Sequence, residues 1–344
     1  MRKTFKADFK VSKLIEPFPQ GEPDYFPLTL GHLFWGRKVS FELYLKAIIP
    51  PNEQPQYLSC CSPGTLFQAE WAGQLQEKGI NQVYYHRRDQ DRVLHFLNRN
   101  LRAVLEDGGL PLHEKATWVY DATLIWTRHF FTEGAMRFGS QLGLGLEFVD
   151  HLFSCLWEEG QPRIWLLDLC RYDNLLYTHS LNTCLLGMAF TTYLNWPEIK
   201  IRAFGLGALL HDIGMINIPH EMLFKAETLS EQEWELVKKH PARGYAILKD
   251  FPNTWPETLQ MVQQHHENGD GSGYPEGIRL PLIHPWARIL RIIDSYEALT
   301  ADRQWRPKYE PLKALWIMKQ DWEQNIIYDA NLLANFIRFH STRD

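Results

Sequence analysis

The stretch from Phe204 to Gly214 reads FGLGALLHDIG, a run of apolar and small residues that ends in a histidine and an aspartate. Such a run predicts a buried helix, so His211 and Asp212 are expected in the protein interior. A buried carboxylate beside a buried imidazole needs compensation, and a shared metal ion supplies it. This stretch therefore predicts a helical domain built around a metal site.

Further candidate ligands lie on both sides of this stretch: His179, His240, His265, His266 and Asp294. Taken singly, a histidine is more often a surface or hydrogen-bonded core residue, and Asp294 could be a helix cap or an ion-pair partner. However, Asp294 lies in the core-like helix 289–299, and the doublet His265-His266 stands at a helix end, where side chains can turn toward a cleft. Imidazole and carboxylate together suit divalent Fe, Mn, Ni or Zn.

Composition limits the classes of partner and location. The net charge of −5 argues against non-specific binding of duplex nucleic acid, which needs a surplus of basic residues. The five cysteines show no Cys-x-x-Cys spacing, which predicts reduced thiols and a cytoplasmic location. No stretch approaches the ~20 apolar residues of a membrane span, and no apolar segment follows the basic N-terminus, so neither membrane binding nor secretion is expected.

The periodicity of the chain predicts a multi-domain α+β protein, with a small N-terminal α/β domain followed by a C-terminal all-α helical bundle. Residues 1–100 are predicted as a regulatory or sensory domain, because strand-like runs at 41–46 and 83–85 flank a helical segment at 70–76. Residues 101–165 are predicted as a helical linker, although simple packing helices explain them equally well. Residues 166–344 form the predicted bundle.

Three motifs in the C-terminal half resemble the HD-GYP subgroup of the HD phosphohydrolase superfamily. They are His211-Asp212-Ile213-Gly214, then His240-Pro241, then the stretch from His265 to Pro275, which reads HHENGDGSGYP. Asp294 with the residues 297–300 and 303–306 completes the series, and the resemblance covers roughly residues 170–340. It implies an HD-type helical bundle and a bacterial signalling hydrolase, a phosphodiesterase that opens cyclic di-GMP to linear pGpG and in some members continues to GMP.

The resemblance also implies the roles of individual residues. One metal ion would be held by His179, His211, Asp212 and Asp294, and a second by His240, His265 and His266 with Asp212 bridging. His211 and Asp212 are the implied catalytic residues, and two ions would polarise the phosphodiester for attack by water. The implied substrate contacts are Tyr274, Arg303 and Arg306. In the loop, Asp270 is expected to stabilise the turn and Glu267 to support the metal ligands.

Two departures from the family pattern affect these expectations. Met215 stands where the family usually has a lysine, and a methionine can neither stabilise developing charge nor protonate a leaving oxygen. Leu175 stands where members with three metals have a glutamate, so two metals are predicted, with Fe or Mn favoured over Ni or Zn. Asn217 and His220 also differ from the usual residues at the cleft rim, and His220 is predicted to be a surface residue.

These departures leave alternatives open. The first is a receptor or signalling module that binds a cyclic dinucleotide with weak turnover or none. The second is a hydrolase of another cyclic dinucleotide, such as a mixed GMP-AMP species. A protein partner is expected to contact either the N-terminal domain or the loop Gly269–Pro275.

Overall fold

The computed structural model describes residues 24–33, 37–49, 54–132, 138–158, 161–162, 170, 176–219, 222, 228–251, 254–302 and 306–341. These residues fall into two compact units, one within residues 1–110 and the other within residues 111–344. No helix in the described ranges combines the length and the apolar character needed to cross a bilayer. The predicted sites at Leu175, His220 and Arg303 lie outside the described residues.

The N-terminal unit combines one antiparallel sheet with two helices. Its strands are β1 (Tyr25–Thr29), β2 (Leu43–Ile48), β3 (Pro55–Cys61) and β4 (Gln82–His86), in the order β1-β4-β2-β3. Its helices are α1 (Ala69–Glu77) and α2 (Gln90–Glu106). The predicted helix at 70–76 and the predicted strand at 83–85 lie within α1 and β4, whereas the predicted strand at 41–46 overlaps β2 only from Leu43 onward. All three strand pairings are antiparallel.

Alternating burial explains how this small unit holds together. Phe26 and Leu28 of β1 are buried while their neighbours in the strand are half-exposed, which is the period-2 pattern of a sheet with one covered face. Helix α2 buries a stripe that includes Phe96, whose ring packs edge-on against Phe41 at a centroid distance of 5.5 Å.

The C-terminal unit consists almost entirely of helices. They are α3 (Leu112–Thr132), α4 (Phe138–Leu156), α5 (Leu176–Tyr193), α6 (Glu198–Leu210), α7 (Glu231–Val237), α8 (His240–Leu248), α9 (Pro256–Gln264), α10 (Pro285–Thr300), α11 (Pro311–Asn325) and α12 (Ala330–Ser341). A two-residue antiparallel ladder between Trp157–Glu158 and Gln161–Pro162 lies within residues 101–165, the predicted helical linker, and so before the predicted all-α bundle. Helices α3 and α4 lie within the predicted linker and pack against α5, and a linking role for them stays a prediction.

Helix α5 is the centre of this unit. Every residue from Thr178 to Thr192 is buried, as expected for a helix that is surrounded on all sides by others. Helices α3, α6 and α10 pack against it, and its C-terminal half carries Phe190 into a cluster with Phe336 and Phe339 of α12. This packing fixes His179 near the start of α5, close to the middle of α10.

Candidate metal centre

The predicted ligands come from five separate segments of the chain. His179 lies on α5 and Asp294 on α10, and both are buried. His240 opens α8, and the doublet His265-His266 directly follows α9. His211 and Asp212 were expected within a helix, but α6 ends at Leu210 and the pair forms the turn into a short 3-10 segment, Ile213–Asn217. Side chains in a turn at a helix end are not confined to one face of the helix. The turn therefore allows His211 and Asp212 to contact ligands on both of its sides.

Within the described residues, the first group of close ligand atoms joins His179, His211 and Asp294. Nε2 of His179 lies 3.3 Å from Nε2 of His211 and 3.1 Å from Oδ1 of Asp294. The sequence separation between His179 and Asp294 is more than a hundred residues, so packing of α5 against α10 brings them together.

The second group joins Asp212, His240, His265 and His266. Nε2 of His240 lies 3.1 Å from Nε2 of His265 and 3.1 Å from Oδ1 of Asp212. The other carboxylate oxygen, Oδ2 of Asp212, lies 3.3 Å from Nε2 of His211 in the first group. Asp212 therefore stands between the two groups, with one oxygen turned toward each.

Hydrogen bonds at the far side of three rings orient their ligand atoms. Nδ1 of His211, His240 and His265 lies 2.7, 2.8 and 2.7 Å from a backbone carbonyl oxygen of the residue three positions earlier. A carbonyl accepts only, so each Nδ1 must carry the hydrogen and each Nε2 of a neutral ring presents its lone pair. All three lone pairs point into the cluster, as a metal ion requires.

A buried acceptor tests whether a metal ion fits here. Oδ1 of Asp212 is buried and accepts no well-aligned hydrogen bond, although Nε2 of His240 is only 3.1 Å away. An uncompensated buried carboxylate oxygen is costly, and nitrogen lone pairs that face it add repulsion. A divalent cation removes both costs, so the residues present fit a metal ion.

The charges inside the cluster shift the pKa values of its members in opposite directions. Burial is the largest influence throughout; it lowers the pKa of His265 to about 4 and holds that of His266 well below its usual range. Burial alone would raise the pKa of Asp294, but the hydrogen bond with His179 and the charges of His266, His179 and His211 together outweigh it and lower that pKa. His265 and His266 are thus neutral near pH 7, the form in which imidazole binds metals.

His179 behaves differently because a second carboxylate contacts its ring. Although burial would lower its pKa, the carboxylates of Glu297 and Asp294 raise it to about 10. Nδ1 of His179 hydrogen-bonds Oε2 of Glu297, and Oε1 of Glu297 accepts from Nδ2 of Asn182 at 2.9 Å. Oδ1 of Asn182 in turn accepts from the hydroxyl of Tyr120 at 2.9 Å.

Sequence reasoning did not find this chain of contacts. Glu297 appeared there only as part of a motif, and Tyr120 and Asn182 did not appear as candidates. A signal was available for one of them, because Asn182 lies three residues after His179 and shares its helix face. Tyr120 gave no such signal, since its contact depends on how α3 packs against α5.

The loop after the histidine doublet is held mainly by two acidic residues. Glu267 was expected to support the metal ligands, but its carboxylate instead accepts the backbone N–H groups of Glu276, Gly277 and Ile278 at 2.7, 3.1 and 3.1 Å. Asp270 accepts from both the backbone and the hydroxyl of Ser272, as expected for a residue that stabilises the turn. Gly271 has a φ of 86°, a left-handed backbone conformation that glycine adopts without steric cost.

The predicted substrate contacts differ in their surroundings. The ring of Tyr274 stacks on His266 at a centroid distance of 4.7 Å, which places it at the second ligand group. Arg306 donates to the carbonyls of Ala298 and Leu299 at 2.8 and 3.1 Å, so it also secures the C-terminal end of α10. Contact of Tyr274 and Arg306 with substrate stays a prediction. Met215 is half-buried in the 3-10 segment directly after Asp212.

One further cation beside the cluster was absent from the sequence reasoning. Nη1 of Arg291, one turn before Asp294 on α10, lies 3.9 Å from Oδ2 of Asp294. Its Nε and Nη2 donate to Oδ1 of Asn268 in the loop, at 3.1 and 3.0 Å. An arginine three residues before a buried aspartate is a local signal that could have indicated it.

Comparisons with known proteins agree with this geometry. A family model described as "HD domain" matches residues 174–332. The cyclic di-GMP phosphodiesterase PA4108 of Pseudomonas aeruginosa is 30% identical over 56% of this chain and 46% of its own. The response regulator RpfG of Xanthomonas campestris pv. campestris, a cyclic di-GMP phosphodiesterase, is 36% identical over 36% of this chain and 32% of its own.

Other relatives extend the range of named substrates. The 3'3'-cGAMP-specific phosphodiesterase 3 of Vibrio cholerae is 37% identical over 33% of this chain and 25% of its own. The chain thus spans less than half the length of each of these three relatives.

A solved structure shows a similar fold over most of the chain. It is Bd1817, an HDG"Y"P protein from Bdellovibrio bacteriovorus, with a TM-score of 0.62 over 91% of this chain and 98% of its own, at 18% identity. Residues 174–332 thus match the HD-domain family, and the chain shares its fold with an HDG"Y"P protein.

Proposed function

We propose that this chain is a metal-dependent phosphodiesterase that hydrolyses cyclic di-GMP to linear pGpG. The observation that carries the proposal is the position of Asp212, whose two carboxylate oxygens face separate groups of histidines. A carboxylate shared in this way suits two metal ions, a combination used where both the attacking and the leaving oxygen of a phosphodiester need stabilisation. Relatives that carry this activity in their names support the choice of substrate.

The proposed cofactors are two divalent transition-metal ions, with iron or manganese favoured because every candidate ligand is an imidazole or a carboxylate. His179, His211 and Asp294 would hold one ion, and His240, His265 and His266 the other, with Asp212 contacting both. When bound, the ions supply Lewis acidity toward the phosphodiester and lower the pKa of water.

Residues of the chain itself orient the metal ligands and form the surface beside them. Glu297 holds the imidazole of His179 in one orientation, and the carbonyls behind His211, His240 and His265 hold a hydrogen on Nδ1, so that Nε2 of each ring in its neutral form can bind an ion. Tyr274 forms an aromatic wall beside His266. Burial raises the pKa of the Tyr274 phenol, so the hydroxyl stays protonated and can donate a hydrogen bond to a phosphate oxygen.

A second candidate function is a receptor that binds a cyclic dinucleotide without hydrolysing it. Met215 favours it, because this half-buried thioether directly follows the Asp212 turn and offers no proton or charge. A third candidate is hydrolysis of 3'3'-cGAMP, which is supported by the relatives named for that substrate. In each case we propose that the N-terminal unit has a regulatory role and that the protein is cytoplasmic, where its five cysteine thiols would stay reduced.

One experiment separates these candidates. The protein is purified anaerobically and reloaded with Fe(II) or Mn(II), and cyclic di-GMP and 3'3'-cGAMP are followed by chromatography. Linear product from the native chain, absent from an Asp212→Ala control, supports the phosphodiesterase and identifies its substrate.

The other outcomes are equally informative. Recovery of activity only in Met215→Lys, with nucleotide binding in the native chain, indicates a receptor. If the native chain neither hydrolyses nor binds any cyclic dinucleotide, the proposed function is wrong.

A further inference from the structure

The position three residues after Asp212, where the family resemblance implies a lysine, carries no positive charge. Met215 occupies it, and its backbone N–H donates to the carbonyl of Asp212 at 2.8 Å, which places the Met215 backbone in the turn that carries this candidate ligand. A phosphodiester is anionic and gains charge on its oxygens during attack, so a neutral side chain here leaves part of that charge without a partner.

Arg291 brings a positive charge to the same cluster from another helix. Its Nη1 lies 3.9 Å from Oδ2 of Asp294. Among the lysines and arginines in the described part of the chain, it is the one within ion-pair distance of a candidate ligand. Asp294 also lies 3.9 Å from Nδ1 of His266, so Arg291 approaches the boundary between the two ligand groups.

Hydrogen bonds hold the guanidinium of Arg291 in place but do not use all of its N–H donors. Nε and Nη2 share Oδ1 of Asn268, and Nη1 donates to the hydroxyl of Ser295 at 2.9 Å. These bonds use three of the five N–H donors of a guanidinium, and two are left without an acceptor among the described residues. The side chain keeps 20% of its surface exposed, so a ligand can reach it.

The contact with Asn268 ties this arginine to the glycine-rich loop. Nδ2 of Asn268 donates to Ser272 at 3.0 Å, and the same loop carries Tyr274 against His266. Arg291 therefore joins a candidate metal ligand to the segment that carries a predicted substrate contact.

We propose that Arg291 is a phosphate-binding residue beside the ligand cluster, whose two uncommitted N–H groups hold a phosphate oxygen and supply the positive charge that Met215 cannot. The proposal rests on the proposed function for its substrate, a cyclic dinucleotide. An arginine fork suits phosphate because its donors lie in one plane and its charge is permanent. Three of those donors are already fixed, so little conformational entropy is lost when phosphate binds.

The test measures phosphate affinity separately from turnover. Inorganic phosphate is titrated calorimetrically into the full chain loaded with Mn(II), and the native protein is compared with Arg291→Gln at equal metal content. Arg288→Gln is the matched control, because Arg288 lies on the same helix with the same 20% exposure but pairs with Asp329, away from the ligand cluster. We expect Arg291→Gln to weaken phosphate binding about tenfold, the cost of losing charge-assisted hydrogen bonds, and Arg288→Gln to leave it unchanged.

Two results overturn the proposal: native protein that does not bind phosphate, and equal affinity in the native protein and Arg291→Gln. If Arg291→Gln loses metal or fails to fold, phosphate affinity is measured in Arg291→Lys instead. This variant keeps the positive charge but lacks the planar pair of N–H donors. A reduced phosphate affinity in Arg291→Lys supports the proposal, and an unchanged affinity contradicts it.

A turnover experiment then tests the relation to Met215. In the background of Arg291→Gln, Met215→Lys should restore hydrolysis of cyclic di-GMP more than it improves the native chain, because one cation replaces the other. Equal gains in both backgrounds would mean that the two positions act independently and would remove this part of the proposal. If the native chain hydrolyses nothing while phosphate binding still depends on Arg291, the phosphodiesterase is wrong and the anion site stands.

Discussion

Oδ1 of Asp212 lies 3.1 Å from Nε2 of His240, yet it accepts no well-aligned hydrogen bond there. The two atoms are both electron donors when the ring is neutral, and a cation between them turns their closeness from repulsion into stabilisation. The opposite oxygen of Asp212 faces His211, so one side chain is central to both ligand groups.

Replacing Asp212 should therefore reduce the metal content of the whole cluster. We expect Asp212→Asn to bind fewer than two ions per chain and to lose at least the roughly 10- to 100-fold in affinity that follows removal of a supporting partner. Metal analysis after dialysis measures this, with the exposed Asp250→Asn as control. Full occupancy in Asp212→Asn would contradict a shared carboxylate.

Metal binding should release protons from the first ligand group. Carboxylates outweigh burial and raise the pKa of His179 to about 10, so at pH 7 this ring is protonated and must lose a proton to bind an ion. Affinity is therefore expected to rise between pH 6 and 9, by about tenfold per pH unit for each proton displaced, and to level off above about 10.

Calorimetry in two buffers of different ionisation enthalpy counts the protons released. The second group serves as an internal comparison, because the pKa of His265 is already lowered to about 4 and that ring is neutral across this range. Mn(II) binding that releases no proton at pH 7 would show that His179 is neutral in the metal-free protein.

The contact between Glu297 and His179 predicts a graded series of variants. Glu297→Gln removes the charge behind the ring, and we expect a roughly 10- to 100-fold loss of metal affinity. Tyr120→Phe removes only the far hydroxyl that donates to Asn182, so its main effect should be about 1 kcal/mol of unfolding free energy, with metal affinity little changed. Denaturant unfolding and metal titration separate the two effects, and equal losses of metal affinity in both variants would contradict this order.

Gly214 should tolerate no side chain. A Cβ atom there would lie 2.0 Å from the carbonyl oxygen of His240 and 2.8 Å from the backbone nitrogen of Gly244, so α8 would have to move together with a candidate ligand. We expect Gly214→Ala to cost about 1–3 kcal/mol or more in unfolding free energy and to weaken metal binding.

Gly73 provides the control for that substitution. A Cβ atom at Gly73 in α1 meets nothing within 4 Å, so Gly73→Ala should stabilise the helix by about 0.5–1 kcal/mol. Thermal unfolding of both variants tests the pair, and a stable, metal-replete Gly214→Ala would show that the backbone contact can relax.

The sequence determined the chemical inventory of the site. The apolar run before His211 predicted burial, and the resemblance named seven ligand-type residues, all of which the structure brings together in two groups. These features are readable because burial and turn geometry leave local patterns in a chain.

The tertiary structure decided how those residues are used. Only packing of α5 against α10 brings Glu297 to His179, and only packing of α3 against α5 brings Tyr120 to Asn182. Only the folded loop brings the backbone N–H groups of residues 276–278 to the carboxylate of Glu267. Sequence periodicity reports which face of an element is buried but not which partner covers it. Contacts between residues far apart in the chain therefore had to come from the structure.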